Sequence, residues 1–192
     1  VTFGCDVGVM GQITTGYYIA SVIFGLFMGV LSVRFRHKSL LMVGLLFVGI
    51  SALGCYLASN FNLMLVSYSL SGIGTAMVAP MAISLTGEHL PLEKRGSAVG
   101  WIIAGGALSY VVGAPIIGFI TGLGDWRFVL FVFVIPVSLA SLLLAFVGLP
   151  FTSGSVQPAV SKGAYLESFE GVLSNGSAVA CLFGSVLRSI AF

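Results

Sequence analysis

Residues 63–85, LMLVSYSLSGIGTAMVAPMAISL, and residues 96–120, GSAVGWIIAGGALSYVVGAPIIGFI, decide the fold of this chain. Between them stands a short charged connector, residues 87–95, GEHLPLEKR. Neither long stretch holds a Lys, Arg, Asp or Glu. Each exceeds the roughly 20 apolar residues that cross a hydrocarbon core about 30 Å thick. Both are rich in Gly, Ala and Ser, which let helices approach closely in lipid. The expectation is an all-α fold: a polytopic transmembrane helical bundle.

The composition agrees. Of 192 residues, 58% are hydrophobic and 7% charged, with a mean hydropathy of +1.12. A soluble domain carries about 25% charged residues, so this chain could not cover a surface in water. Nucleic-acid binding is excluded in practice, because the few basic residues sit at the edges of apolar stretches. No enzyme constellation is present: there is no H-E-x-x-H, no G-x-S-x-G and no phosphate loop with its lysine. His37 and His89 stand in basic connectors and suggest no metal. No cofactor is expected. Cys5, Cys55 and Cys181 lie far apart and read as small apolar packing residues.

Working outward, residues 1–11 form a lead-in, and the first span covers about residues 13–33. Ser21, Gly25 and Gly29 recur every fourth residue there, a groove for a neighbouring helix. The run Arg34-Phe35-Arg36-His37-Lys38 stops that span. A second span covers residues 39–59 and turns at Asn60-Phe61-Asn62. The third and fourth are the two stretches quoted, with Pro80 in one and Gly105, Ser109, Gly113, Pro115 and Gly118 in the other. A fifth span runs over residues 128–149, aliphatic and aromatic, and is expected to face lipid.

Residues 150–170 break the pattern with Pro, Ser, Gly and Gln and read as a linker. Apolar character returns over residues 171–192. Val1 is not a start methionine and Phe192 falls within an apolar run, so the chain is expected to be a piece of a longer protein.

Strict alternation places Arg34, Arg36, Lys38, Lys94, Arg95 and Lys162 on one side and Arg127 on the other. That bias predicts that the basic connectors and the linker are cytoplasmic.

Four elements, in order, carry a family resemblance. The run from Gly29 to Lys38 is similar to the motif Gly-x-Leu-a-Asp-Arg-x-Gly-Arg-Arg between the second and third helices of the major facilitator superfamily. Gly72-Ile73-Gly74 with Pro80 resembles its glycine-rich fourth helix. Lys94-Arg95-Gly96-Ser97-Ala98-Val99-Gly100 resembles Arg-Gly-x-Ala-x-Gly at the start of the fifth. Asp125-Trp126-Arg127-Phe128 is similar to the Gly-Trp-Arg-Trp element opening the sixth.

The resemblance implies helices two to six of an N-terminal bundle over residues 1–149, with the first helix truncated or missing. It implies a cytoplasmic central linker over 150–170, and a truncated start of the second half over 171–192. Such proteins hold their substrate site near the midplane between two halves. The implied activity is secondary transport of a small solute by alternating access, across a plasma membrane, by a protein monomeric when complete. Drug or metabolite efflux is the preferred direction, with protons as a candidate coupling ion; uptake of a sugar or organic acid, or a sensor of the same fold, are the alternatives.

The chain departs from the pattern in several places. Val33 stands where the loop motif has Asp and Arg36 where it has Gly. Tyr68 stands where drug/proton antiporters place an Arg. Ala114-Pro115-Ile116-Ile117-Gly118 matches their Gly-Pro-x-x-Gly-Gly signature only in part.

Two candidate substrate contacts follow. Arg188 lies about ten residues, or ~15 Å, into the last apolar run, a depth at which a charge faces a cavity or a partner. Tyr68, Ser71 and Thr75 share one helix face at i, i+3 and i+7, available for a solute or for interhelical hydrogen bonds. Gly29, Arg34, Arg36 and Lys38 form the loop motif, read as a topology signal, a lipid-headgroup contact or a gate. Gly25, Gly105, Ser109, Gly113, Pro115 and Gly118 read as packing positions. Tyr17 and Tyr18 read as interfacial anchors.

Overall fold

A computed structural model describes residues 7–123 and 126–148. The chain divides into two units, Val1–Ser155 and Val156–Phe192, and every described residue belongs to the first. The expected linker, the last apolar run and Arg188 lie outside the described residues.

Five long helices make up the described part: α1 (Val7–Arg34), α2 (His37–Leu57), α3 (Phe61–His89), α4 (Leu92–Leu123) and α5 (Trp126–Gly148). Among the described residues there is no strand. Helices α2, α3, α4 and α5 are each long and apolar enough to cross a membrane. At 28 residues α1 is also about 42 Å long. The transmembrane helical bundle expected from composition is the fold observed.

The helix ends correct several expected boundaries. Helix α1 begins at Val7, inside the expected lead-in. The connector expected over residues 87–95 shrinks to Leu90 and Pro91, because Glu88, His89, Glu93 and Lys94 all continue helices. Only Pro91 breaks the run. A proline disfavours helical backbone in the residue before it, and Leu90 is extended at φ −112° and ψ 141°.

Helix α3 is the centre of the bundle, packing on α1 along one side and on α2 along the other. Gly72 and Gly74 make this possible. Two residues apart on a helix, they point about 200° apart, one toward each neighbour. A Cβ at Gly72 would overlap the Tyr17 carbonyl of α1. A Cβ at Gly74 would lie 2.7 Å from the Gly44 carbonyl of α2.

The apolar core lies toward the end of the bundle that carries the basic connectors. Met28, Leu40, Leu41, Met77, Met81, Leu85 and Ala145 are buried together there. Toward the other end the contacts use smaller polar groups, with Ser51 Oγ donating to the Ser67 carbonyl at 2.7 Å.

Helix α5 contains a π-helical turn at Leu130–Val134. Pro136 follows it closely and has no N–H to give the ordinary i−4 carbonyl. The wider turn shifts the bonding register first, with the Ile135 N–H reaching back to the Leu130 carbonyl. The later part of α5 rests on α2 and leaves Leu139, Leu143, Leu144 and Val147 exposed, as a lipid-facing helix requires.

Candidate functional site

The close approach at Gly72 decides what stands beside α3. It draws α1 in until the Tyr17 side chain reaches across, its hydroxyl 2.9 Å from Thr75 Oγ1. The single hydroxyl hydrogen of Thr75 is directed at its own helix, toward the Ser71 carbonyl at 3.0 Å and the Gly72 carbonyl at 3.2 Å. Tyr17 therefore donates and Thr75 accepts. The Tyr17 ring lies 5.5 Å from that of Tyr68, tilted by 43°. Tyr18 meets Tyr17 edge-on at 5.2 Å.

Two helices thus bring three tyrosines to one patch, with Tyr68 37% exposed. Ser71 Oγ is turned back to the Tyr68 carbonyl at 2.8 Å. Of the expected trio, Tyr68 and Thr75 meet a partner across the helix interface, while Ser71 bonds within its own turn. Tyr17, expected as an interfacial anchor, joins this patch through Thr75 and Tyr68. It lies ten residues past Val7, the first described residue of α1. The patch offers phenol hydroxyls and ring faces, a surface suited to hydrogen bonding and stacking with a small organic solute.

At the basic end the loop motif is only partly solvated. Arg34 and Arg36 are exposed, as a topology signal would be. Lys38 is 6% exposed. Its ammonium donates to the Phe146 carbonyl at 3.1 Å and lies 5.9 Å from the Phe146 ring centroid. Phe146 is in the last described turn of α5, near a helix C-terminus, where a cation is favoured. His37, the residue before Lys38, pairs with Glu88 at the end of α3. That contact ties the α1–α2 connector to the α3–α4 connector on one side of the bundle.

The opposite end carries a matching device. Arg127, at the start of α5, donates from Nη2 to the carbonyl of Ala58 at 2.6 Å. Ala58 is the C-cap of α2 and is fully buried. Helices α2 and α5 run antiparallel, so each opens with a cation that caps the other's last turn.

The expected packing positions behave differently. A Cβ at Gly25, Gly29, Gly105, Gly113 or Gly118 meets nothing within 4 Å among the described residues. Ser109 Oγ bonds the Gly106 carbonyl of its own helix at 2.7 Å, and Pro115 lies within α4. The glycines in close contact are Gly16, Gly44, Gly54, Gly72 and Gly74. Cys55 is buried and free. Among the described residues no three His, Cys, Asp or Glu side chains gather to hold a metal.

A helical membrane bundle, a loop motif between the first two helices and a glycine-centred third helix invite comparison with transporters. The family profile of the Major Facilitator Superfamily matches residues 1–192. The chain belongs to the Major Facilitator Superfamily. Its relatives include an uncharacterized MFS-type transporter, YwfA of Bacillus subtilis, 27% identical over 68% of this chain and 32% of that protein. Multidrug resistance protein 3 of the same organism is 31% identical over 67% of this chain and 25% of its own length. The major myo-inositol transporter IolT is 30% identical over 84% of this chain and 38% of its own. The chain thus spans between a quarter and two fifths of these relatives, and its family is one of membrane transporters rather than enzymes.

Proposed function

We propose that this chain forms one wall of a secondary transporter, and that Tyr17, Tyr68 and Thr75 contact the transported solute. The observation that carries this reading is the tyrosine patch itself. There, among the described residues, hydroxyls and rings from α1 and α3 converge within otherwise apolar spans. A midplane solute site between helical repeats is the arrangement by which such bundles work. Residues 150–170 are the cytoplasmic linker to a second half beginning at 171–192, where Arg188 supplies a further contact. The basic connectors face the cytoplasm of a plasma membrane, by the excess of Arg and Lys.

Export of drug-like compounds or metabolites is the favoured direction, supported by relatives named as multidrug resistance proteins, with protons as the coupling ion. Import of a polyol or sugar is the second reading, supported by the inositol transporter.

The test is counterflow in proteoliposomes of the full-length protein, with candidate solutes of both kinds. Tyr68→Ala lowers uptake of the true solute about tenfold, the loss of one good aromatic contact and its hydrogen bond. Tyr68→Phe keeps the ring and loses less. Unchanged exchange in a folded Tyr68→Ala protein would remove the patch from the transport path. A proton gradient that leaves exchange unaffected would remove the coupling ion.

A further inference from the structure

The start of α5 holds a second place where a ligand fits, built from α2 and α5 rather than from the tyrosine patch. A recess of about 350 Å³ opens there, lined by Tyr56, Leu57, Arg127, Phe128 and Phe131. Four of these five side chains are apolar or aromatic, and the Tyr56 and Phe131 rings lie 5.7 Å apart. Leu57, Phe128 and Phe131 are exposed on the outside of the bundle.

Arg127 is the fifth. Its guanidinium gives one hydrogen bond to the Ala58 carbonyl and lies 5.3 Å from the Trp126 ring. Its Nε is buried and has no hydrogen-bond partner among the described residues. Among the described residues no carboxylate pairs with it. A guanidinium has five N–H donors in a planar fork that matches a phosphate. A cation left with a neutral carbonyl and a ring at the edge of hydrocarbon is costly unless an anion joins it.

The surroundings say which anion. Trp126 and Tyr56 are of the kind that sits at the membrane–water boundary, so Arg127 stands at headgroup depth. The rest of the recess is greasy and open sideways to the bilayer. A free phosphate would satisfy the guanidinium and leave those walls wet. An amphiphile satisfies both.

We infer that the Arg127 recess binds the phosphodiester of a glycerophospholipid, in the leaflet away from the basic connectors, with its glyceryl and upper acyl part against Tyr56, Phe128 and Phe131. The lipid supplies the acceptors that Ala58 alone does not. It also covers the site where α5 widens into its π-turn.

The experiment is native mass spectrometry of the full-length protein in detergent, titrated with phosphatidylglycerol, with a galactosyl diacylglycerol that lacks phosphate, and with inorganic phosphate. Phosphatidylglycerol is retained about tenfold better than the galactolipid, as a charge-assisted bidentate contact requires. Inorganic phosphate at millimolar concentration does not displace it. Arg127→Gln removes the preference. Because that change also strips the cap from α2, Leu57→Glu serves as a second variant: it keeps the Ala58 contact and sets a carboxylate on the recess wall. It too abolishes the preference. Equal retention of the two lipids, or an undiminished preference in both folded variants, would overturn the proposal. Displacement by inorganic phosphate would assign the site to a soluble anion and overturn it as a lipid site.

Discussion

Helices α3 and α4 are written in the same alphabet and live in different surroundings. Both are long, apolar and interrupted by glycines and a single proline. In α3 each central glycine is filled by a neighbour: Gly72 by the α1 backbone and Gly74 by α2. In α4 nothing stands within 4 Å of a Cβ at Gly105, Gly106 or Gly113, and Trp101 is exposed. Small residues at four-residue spacing therefore mark where a helix can come close. They do not say that one does. The distinguishing feature of α3 is the pair of glycines two residues apart, which opens opposite sides at once and makes it a centre.

That contrast can be attacked at four points, each read as unfolding of the full-length protein in detergent. Gly72→Val is expected to do most harm. The added carbon overlaps the Tyr17 carbonyl, a backbone atom that cannot step aside, so the cost is about 2–3 kcal/mol and the α1–α3 contact opens. A stability change near zero would show that α1 is not held where Gly72 places it. Lys38→Met comes next, at about 1–2 kcal/mol, since it removes the hydrogen bond that Lys38 gives to the Phe146 carbonyl of α5. The loss should reappear as faster hydrogen exchange in the last turn of α5. A uniform change across the bundle would count against the cap.

Tyr17→Phe removes one interhelical hydrogen bond and is expected to cost about 0.6 kcal/mol, the usual size of such bonds between membrane helices. Thr75→Val should cost the same, and the double variant no more than either alone. Full additivity would mean that the two hydroxyls do not share a bond. Gly105→Ala is the smallest, within about 0.5 kcal/mol of the parent. A loss well above that would show that another segment of the whole protein fills the α4 groove, and would bring α4 into line with α3.

The five described helices and their order were legible in the sequence, because a span is recorded in composition and needs no knowledge of what it touches. The end of α3 was not, since Glu88 and His89 look like loop residues in a membrane chain yet are ordinary in a helix that projects past the core. Within the candidate site, the face shared by Tyr68 and Thr75 followed from helical period alone. Its partner Tyr17 did not, because the rotation of α1 about its own axis is set by Gly72, 55 positions away. Lys38 read as a solvated charge for a similar reason. Its acceptor on Phe146 lies 108 residues along the chain, and nothing local announces it.

The two end caps between α2 and α5 bear on how the bundle can move. Lys38 fastens one end of the pair and Arg127 the other, so a slide of either helix along its axis would rupture both fastenings together. A tilt of the two as a single strut ruptures neither. If the bundle rearranges, this pair would move as one piece against the glycine-lined joints on either side of α3.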